Sequence, residues 1–238
     1  MPASVPLPYR IRHSRRAKYL RLVAKPDGIE LVVPPAISEA RALAFLHKHR
    51  DWAERKLSEM RSKMAESPPV PHLENGSTLP FQGREVPLVV REHAGRRTHI
   101  QYDGRFLVSV PAGRSEDLRH LTRTAIFEWT KAWIRDQAGS IVQRHAVRFG
   151  LYPRQMRIKR MKSRWGSCGP RNDINLNWLL AFAPPSVLEY VVVHELCHIR
   201  HRNHSADFWD LVARHLPGYP AERQWLRRNG ADLLRRFE

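Results

Sequence analysis

The segment His194-Glu195-Leu196-Cys197-His198 places two histidines and a glutamate at the spacing H-E-x-x-H. Residues four positions apart share one face of an α-helix, so the imidazoles of His194 and His198 can bind a single metal ion. Glu195 lies about 100° around the helix from His194, where its carboxylate can accept a proton from a metal-bound water. The spacing predicts a hydrolytic zinc site, and the alternative is an amphipathic helix with two incidental histidines.

A catalytic zinc site takes three protein ligands and leaves one position for water. His204 is the leading candidate for the third ligand, provided that the chain turns within residues 199–203, because an uninterrupted helix would carry it away from the metal. Asn203 can adopt the left-handed conformation that ends helices, which makes such a turn reasonable. The alternative third ligands are Glu222 and His215.

Arg164 and Tyr219 are candidates for the catalytic site outside the motif. Arg164 lies in a Gly/Ser turn, and in a loop beside the cleft its charge would stabilise developing negative charge. The alternative for Arg164 is a structural turn that packs Trp165 into the core. Tyr219 would supply a phenol near the zinc.

The motif is expected on a helix over residues 186–201, because Pro184-Pro185 and Ser186 mark a helix start. Other helices are predicted over 116–149, over 205–215 and from 221 onwards. Short strands are predicted at 156–161 and 173–180. Within the second strand, residues 175–177 alternate in a way that fits either an edge strand, which would pair with extended substrate, or a buried central strand.

The N-terminal part of the chain is predicted to contain two strands within residues 10–33, followed by a helix over 39–64. A similar pattern follows, with strands at 80–91 and 97–110 and then the long helix, so the two parts resemble a degenerate repeat. A Pro-rich linker at 67–72 would separate them. The predicted organisation is an N-terminal hairpin and helix unit over 1–66 and a second domain over 73–238.

The composition is that of a soluble globular protein, with a formal net charge of +18. No apolar run is long enough to span a bilayer and the N-terminus has no signal-like apolar region, so we expect no membrane partner and a cytoplasmic location. The basic excess favours an anionic partner, either a nucleotide or a nucleic acid, unless it only reflects an Arg-rich proteome. The two cysteines are expected to be structural: Cys197 in the core and Cys168 in a turn.

Further segments surround the H-E-x-x-H motif: Arg164-Trp165-Gly166-Ser167-Cys168, Asn175-Leu176-Asn177-Trp178, Asn203-His204-Ser205, Phe208-Trp209 and Pro217-Gly218-Tyr219. Together with Ser14-Arg15-Arg16 among the N-terminal strands, these segments resemble the YgjP-like metallopeptidase family, which is related to the SprT-like and WLM zincins. The resemblance implies an α+β fold with a small zincin core and an active-site helix beside a β-sheet. It also implies that His194, His198 and His204 bind Zn²⁺ and that Glu195 is the general base.

The function expected from these observations is zinc-dependent hydrolysis of peptide bonds. A first alternative is a metal-dependent nucleoside triphosphate pyrophosphatase, because Lys162 and Arg164 precede the site and favour an anionic substrate. A second alternative is a nucleic-acid-associated protease or a DNA-binding module, whose affinity for DNA would fall steeply with salt.

Overall fold

The structure is a computed structural model that describes residues 7–25, 27–66, 73–114 and 117–236. The chain divides into two compact units, Met1–Pro68 and Pro69–Glu238. Both units combine helices with small mixed sheets, so the fold is α+β as expected. The predicted linker at 67–72 lies outside the described residues. No helix in the described ranges is long and apolar enough to cross a membrane.

The first unit contains the strands β1 (Tyr9–His13), β2 (Arg21–Lys25) and β3 (Gly28–Val33). Their order in the sheet is β1-β3-β2, with β1 parallel and β2 antiparallel to β3. The prediction of two strands over 10–33 was therefore wrong: the chain leaves the sheet over residues 14–20 and returns along the other side of β3. Every residue of β3 is buried, so this central strand lies inside the unit.

The helical part of the first unit consists of α1 (Glu39–Lys48) and α2 (Arg50–Glu66), where a single helix was predicted. The side chain of Ser38 caps α1 by accepting a hydrogen bond from the backbone N–H of Arg41. The core of this unit joins the sheet to both helices and includes Ile29, Leu31, Val33, Ala42, Leu46, Ala53 and Leu57.

The second unit begins with β4 (Thr78–Phe81), β5 (Arg84–His93), β6 (His99–Tyr102) and β7 (Phe106–Pro111), in the sheet order β4-β5-β7-β6. The strand β7 pairs in parallel with β5 and antiparallel with β6, as β3 does with β1 and β2. A glycine with positive φ lies at the first residue of β3 (Gly28) and two residues before β7 (Gly104). The strand arrangement thus agrees with the repeat expected from the sequence.

The long helix α3 (Leu118–Phe149) ends at Gly150, whose φ of 66° is in the left-handed region expected of a helix-ending glycine. Next come β8 (Gln155–Lys159), β9 (Gly166–Cys168) and β10 (Asp173–Asn177), in the sheet order β8-β10-β9. The strand predicted over 173–180 is shorter, because Trp178–Phe182 form a buried 3₁₀ helix.

The chain closes with α4 (Pro185–Cys197), α5 (Ala206–His215) and α6 (Tyr219–Arg236). The helix α4 packs against α3, α5 and α6 and against strands β9 and β10, so it lies in the centre of the second unit. It ends four residues before the predicted boundary at 201, which leaves room for a turn before α5.

Candidate metal centre

The helix α4 is an apolar core helix whose last turn carries the polar motif. Val191, Val192 and Val193 are buried, whereas His194 and His198 are half-buried. After Cys197 the chain turns tightly, with the backbone N–H of His201 donating to the carbonyl of Cys197 at 3.0 Å. This turn redirects the chain so that His204, at the start of α5, comes back towards α4.

The imidazoles of His194, His198 and His204 converge on one point. One nitrogen of each ring lies within 4.8 Å of the corresponding nitrogens of the other two. A search of the described residues for three or more histidine, cysteine or carboxylate side chains close enough to share one ion finds this group. The Nε2 atoms of His194 and His204 are 3.1 Å apart, close to the roughly 3.3 Å expected for two nitrogens on one tetrahedral Zn²⁺.

Neighbouring groups orient two of these rings. The Nδ1 atom of His198 lies 2.9 Å from the carbonyl oxygen of His201, so Nδ1 carries the proton and Nε2 keeps a free lone pair. The ring of Phe208 stacks on His198 with 4.6 Å between the centroids, and Trp209 stacks on His204 at 5.6 Å. The apolar face of α5 therefore holds the imidazoles in place.

Neutral imidazole is the form of histidine that binds metals. Burial, together with the neighbouring His198 and His204, lowers the pKa of His194 to about 3, so this ring is neutral at physiological pH. Burial also lowers the pKa of His198, opposed by its hydrogen bond to the His201 carbonyl. A cluster of three imidazoles whose nitrogens approach one another fits a divalent cation, which would be bound by all three.

Glu195 is a buried carboxylate with only 5% of its surface exposed. Burial raises its pKa to about 8, and the charge of Arg164 opposes this shift. Its Oε2 atom has no hydrogen-bond partner among the described residues. A divalent cation held by the adjacent histidines would supply the positive charge that this carboxylate lacks.

The backbone of β9 lies directly against the Glu195 side chain. A Cβ atom at Gly166 would be 2.5 Å from Oε1 and 2.6 Å from Cγ of Glu195, so only glycine fits at this position. The position of β9 depends on Asn177, which is fully buried at the end of β10. Its side-chain Nδ2 donates to the carbonyls of Met161 and Arg164, and its backbone N–H donates to the carbonyl of Trp165.

The family model for the YgjP-like metallopeptidase domain matches residues 18–229. The chain belongs to the YgjP-like metallopeptidase family. Membership of a metallopeptidase family implies a divalent metal. A crystal structure of the metallopeptidase zymogen of Pyrococcus abyssi abylysin is similar over 38% of this chain and 93% of that chain, with 18% sequence identity and a TM-score of 0.35. A search of curated protein sequences gave no match.

The position of His215 excludes it as the third ligand of the histidine group. Its Nδ1 atom lies 3.0 Å from Nδ1 of His145, whose Nε2 lies 2.9 Å from Oε1 of Glu189, so this histidine belongs to a separate buried cluster between α3, α4 and α5. Glu222 lies in the first turn of α6 and is not part of the histidine group found among the described residues.

The candidate catalytic residues outside the motif are linked to the histidine site through two of its neighbours, Arg164 through Glu195 and Tyr219 through Trp209. Arg164 is exposed and close enough to influence the Glu195 carboxyl. Tyr219 stacks on Trp209 with 5.4 Å between the ring centroids. Sequence reasoning missed Arg223, whose guanidinium lies 4.2 Å from the centre of the Trp209 ring and whose charge contributes to the low pKa of His194. No spacing signal could have identified Arg223, because it reaches the site from a different helix.

The structure also decides between the two interpretations of residues 175–177. They lie in β10, which is the central strand of its sheet, and the interpretation as an edge strand was wrong. The edge beside α4 is β9, which pairs with β10 on one side. Arg202 holds the loop after β9, donating from Nη1 to the carbonyl of Gly169 at 2.8 Å.

Proposed function

We propose that this chain is a zinc-dependent peptidase that hydrolyses peptide bonds at the site formed by His194, His198, His204 and Glu195. The observation that carries the proposal is the convergence of three imidazoles next to a buried glutamate whose Oε2 atom has no hydrogen-bond partner among the described residues. Three protein ligands leave a fourth zinc position for water or substrate, as in catalytic zinc sites.

Zinc bound by these histidines would polarise the substrate carbonyl and lower the pKa of water. Glu195 then accepts a proton from the attacking water at its carboxylate and returns it to the leaving amine. Because the carboxyl is buried, its basicity is high enough for the first transfer and the resulting acid is strong enough for the second.

Charge that develops on the substrate oxygen needs donors near the metal. We assign this role to Arg164, whose charge acts on the Glu195 carboxyl, with the phenol of Tyr219 as a second donor, because Tyr219 stacks on Trp209, which stacks on His204. Arg223 is a further cation, which lies over the Trp209 ring and whose charge acts on His194. These residues act on the transition state, so their loss should lower kcat and leave zinc binding intact.

The substrate class is an extended peptide that adds to the free edge of β9. This strand lies against Glu195 through Gly166 and pairs with β10 along its other edge. Backbone hydrogen bonds to a strand edge align a peptide without requiring a particular sequence, which suits a peptidase that cleaves unfolded segments.

The test uses purified zinc-loaded protein with casein as substrate and measures bound zinc for each variant. Glu195→Gln should abolish peptide cleavage while zinc stays bound, because the amide cannot accept the proton. His204→Ala should lose both zinc and activity. Full activity of Glu195→Gln refutes the role of the base, and phosphate release from nucleoside triphosphates without cleavage of casein refutes the peptidase assignment in favour of the pyrophosphatase.

A further inference from the structure

The first unit contains a groove of about 530 Å³ between the loop of residues 14–20 and helix α1. Its lining combines apolar and aromatic side chains with positive charges, among them Tyr19, Leu20, Phe45, Lys18, Arg41 and Lys48. All of these residues belong to the first unit, so the groove is independent of the histidine site.

The aromatic rings of this groove are accessible. Tyr19 has 77% of its surface exposed, the largest value among the exposed large apolar and aromatic residues of the described chain. Phe45 is half-buried on α1, and its ring centroid lies 4.5 Å from that of His49. An exposed tyrosine and a second aromatic ring that line the same groove provide flat apolar faces to a ligand.

The cations of the groove are not neutralised. Lys18, Arg41 and Lys48 have no ion pair with a carboxylate among the described residues, and all three are exposed. The acidic residue of the first turn of α1, Glu39, is paired with His13 at 3.2 Å. On the β1 strand of the same unit, by contrast, the arginines are paired with Glu30 and Asp27. The positive charges of Lys18, Arg41 and Lys48 are therefore available to a ligand in the groove.

We propose that this groove binds single-stranded nucleic acid, with bases stacked on the rings of Tyr19 and Phe45 and phosphates contacted by Lys18, Arg41 and Lys48. Unneutralised cations interleaved with accessible aromatic rings are the combination that binds single strands. A duplex keeps its bases paired and cannot place them on these rings. An acidic peptide would satisfy the cations but leave the exposed tyrosine ring without a stacking partner.

The charge arm of the test measures the binding of the full chain to a fluorescently labelled oligonucleotide of about 12 nucleotides by anisotropy over a range of salt concentrations. The logarithm of the association constant falls with the logarithm of salt by about 0.7 per phosphate contacted on a single strand. The triple variant Lys18→Gln, Arg41→Gln, Lys48→Gln should reduce this slope by about 2.

A matched control removes three exposed positive charges that do not line the groove, with Arg55→Gln, Arg61→Gln and Arg123→Gln. This control has the same net charge as the groove variant and should keep the slope close to that of the unmodified chain. Equal loss in both triple variants means that binding follows overall charge, which overturns the groove.

The stacking arm compares Tyr19→Ala with Tyr19→Phe, which keeps the ring. The alanine variant should bind the oligonucleotide about tenfold more weakly and the phenylalanine variant like the unmodified chain. Unchanged thermal melting of both variants is expected because Tyr19 is exposed. Equal binding of Tyr19→Ala, equal binding of a duplex, or stronger binding of polyglutamate or anionic phospholipid vesicles would overturn the proposal. This inference goes beyond the peptidase proposal and does not depend on it.

Discussion

Replacing Gly166 with alanine tests whether the backbone of β9 holds the Glu195 carboxylate in place. The new Cβ would lie 2.5 Å from Oε1, 2.6 Å from Cγ and 2.8 Å from Cδ of Glu195. Rotation of the carboxylate alone cannot relieve these contacts, because the Cγ atom is as close as the oxygen. The whole side chain of Glu195 has to move.

The size of the movement sets the expected loss of activity. An ordinary contact between a methyl group and these atoms is about 3.5 Å, so the side chain moves by about 1 Å. A misplacement of about 1 Å in a reacting group lowers the rate by about 100-fold. The three atoms nearest to the new Cβ all belong to Glu195, so we expect zinc content to be unchanged and the loss to appear in kcat.

The measurement is kcat on a peptide substrate, with zinc content and thermal melting as companion readouts. The matched control is Gly169→Ala in the following loop, where a Cβ would be 3.6 Å from its nearest neighbour, the carbonyl oxygen of Asp173. Gly166→Ala protein that keeps its zinc and its full kcat would refute the reasoning.

Four further outcomes are expected. His204→Ala should weaken zinc binding by at least about 10-fold, measured by competition with a chelator, and unchanged affinity would exclude it as a ligand. Arg164→Met and Arg223→Met should each lower kcat about tenfold or more at constant zinc content if their charges act on the transition state; a change confined to KM would show a role in substrate binding. Burial and His145 lower the pKa of His215 to about 4 in the folded chain. Its contribution to stability is therefore present above its unfolded pKa of about 6.5 and is lost as pH falls towards 4, by up to about 2 kcal/mol between pH 7 and pH 5, and His215→Gln should flatten this part of the unfolding profile. Phe81→Ala should lower the free energy of unfolding by about 3–5 kcal/mol, because this ring is fully buried in an aromatic cluster, and a loss below 1 kcal/mol in denaturant titrations would contradict that packing.

Local patterns in the sequence predicted most helices well, because helix signals act within one or two turns of the chain, although the single helix predicted over 39–64 is two helices, α1 and α2. Gly150 ends α3 at the expected residue, and the helices α4 and α5 lie within a few residues of their predicted bounds. The strand prediction over 173–180 failed at its C-terminal end, where a hydrogen bond between a side chain and the backbone changes the local structure. Asn177 accepts a hydrogen bond from the backbone N–H of Leu179, so a strand predicted to continue to residue 180 becomes a 3₁₀ helix.

Strand pairing was harder to predict than helix position. The N-terminal strands alternate as a hairpin would, yet β1 lies parallel to β3 on the far side from β2. Parallel pairing joins segments far apart in the chain, and no residue pattern within either segment reports it. For the same reason the sequence could not show that β9, and not β10, is the edge beside α4.

The sequence by itself determined that His194 and His198 share one face of a helix, because they are about one helical turn apart, and it favoured His204 as the third imidazole if a short turn followed the helix. Only the tertiary structure decided what surrounds them. The backbone of β9 lies against Glu195 at Gly166, and Asn177 holds the segment before β9 by hydrogen bonds. Arg223 of α6 lies over the Trp209 ring, and His215 contacts His145. Spacing along the chain governs side chains on one helix, whereas burial and the packing of distant segments govern the charge environment in which those side chains react.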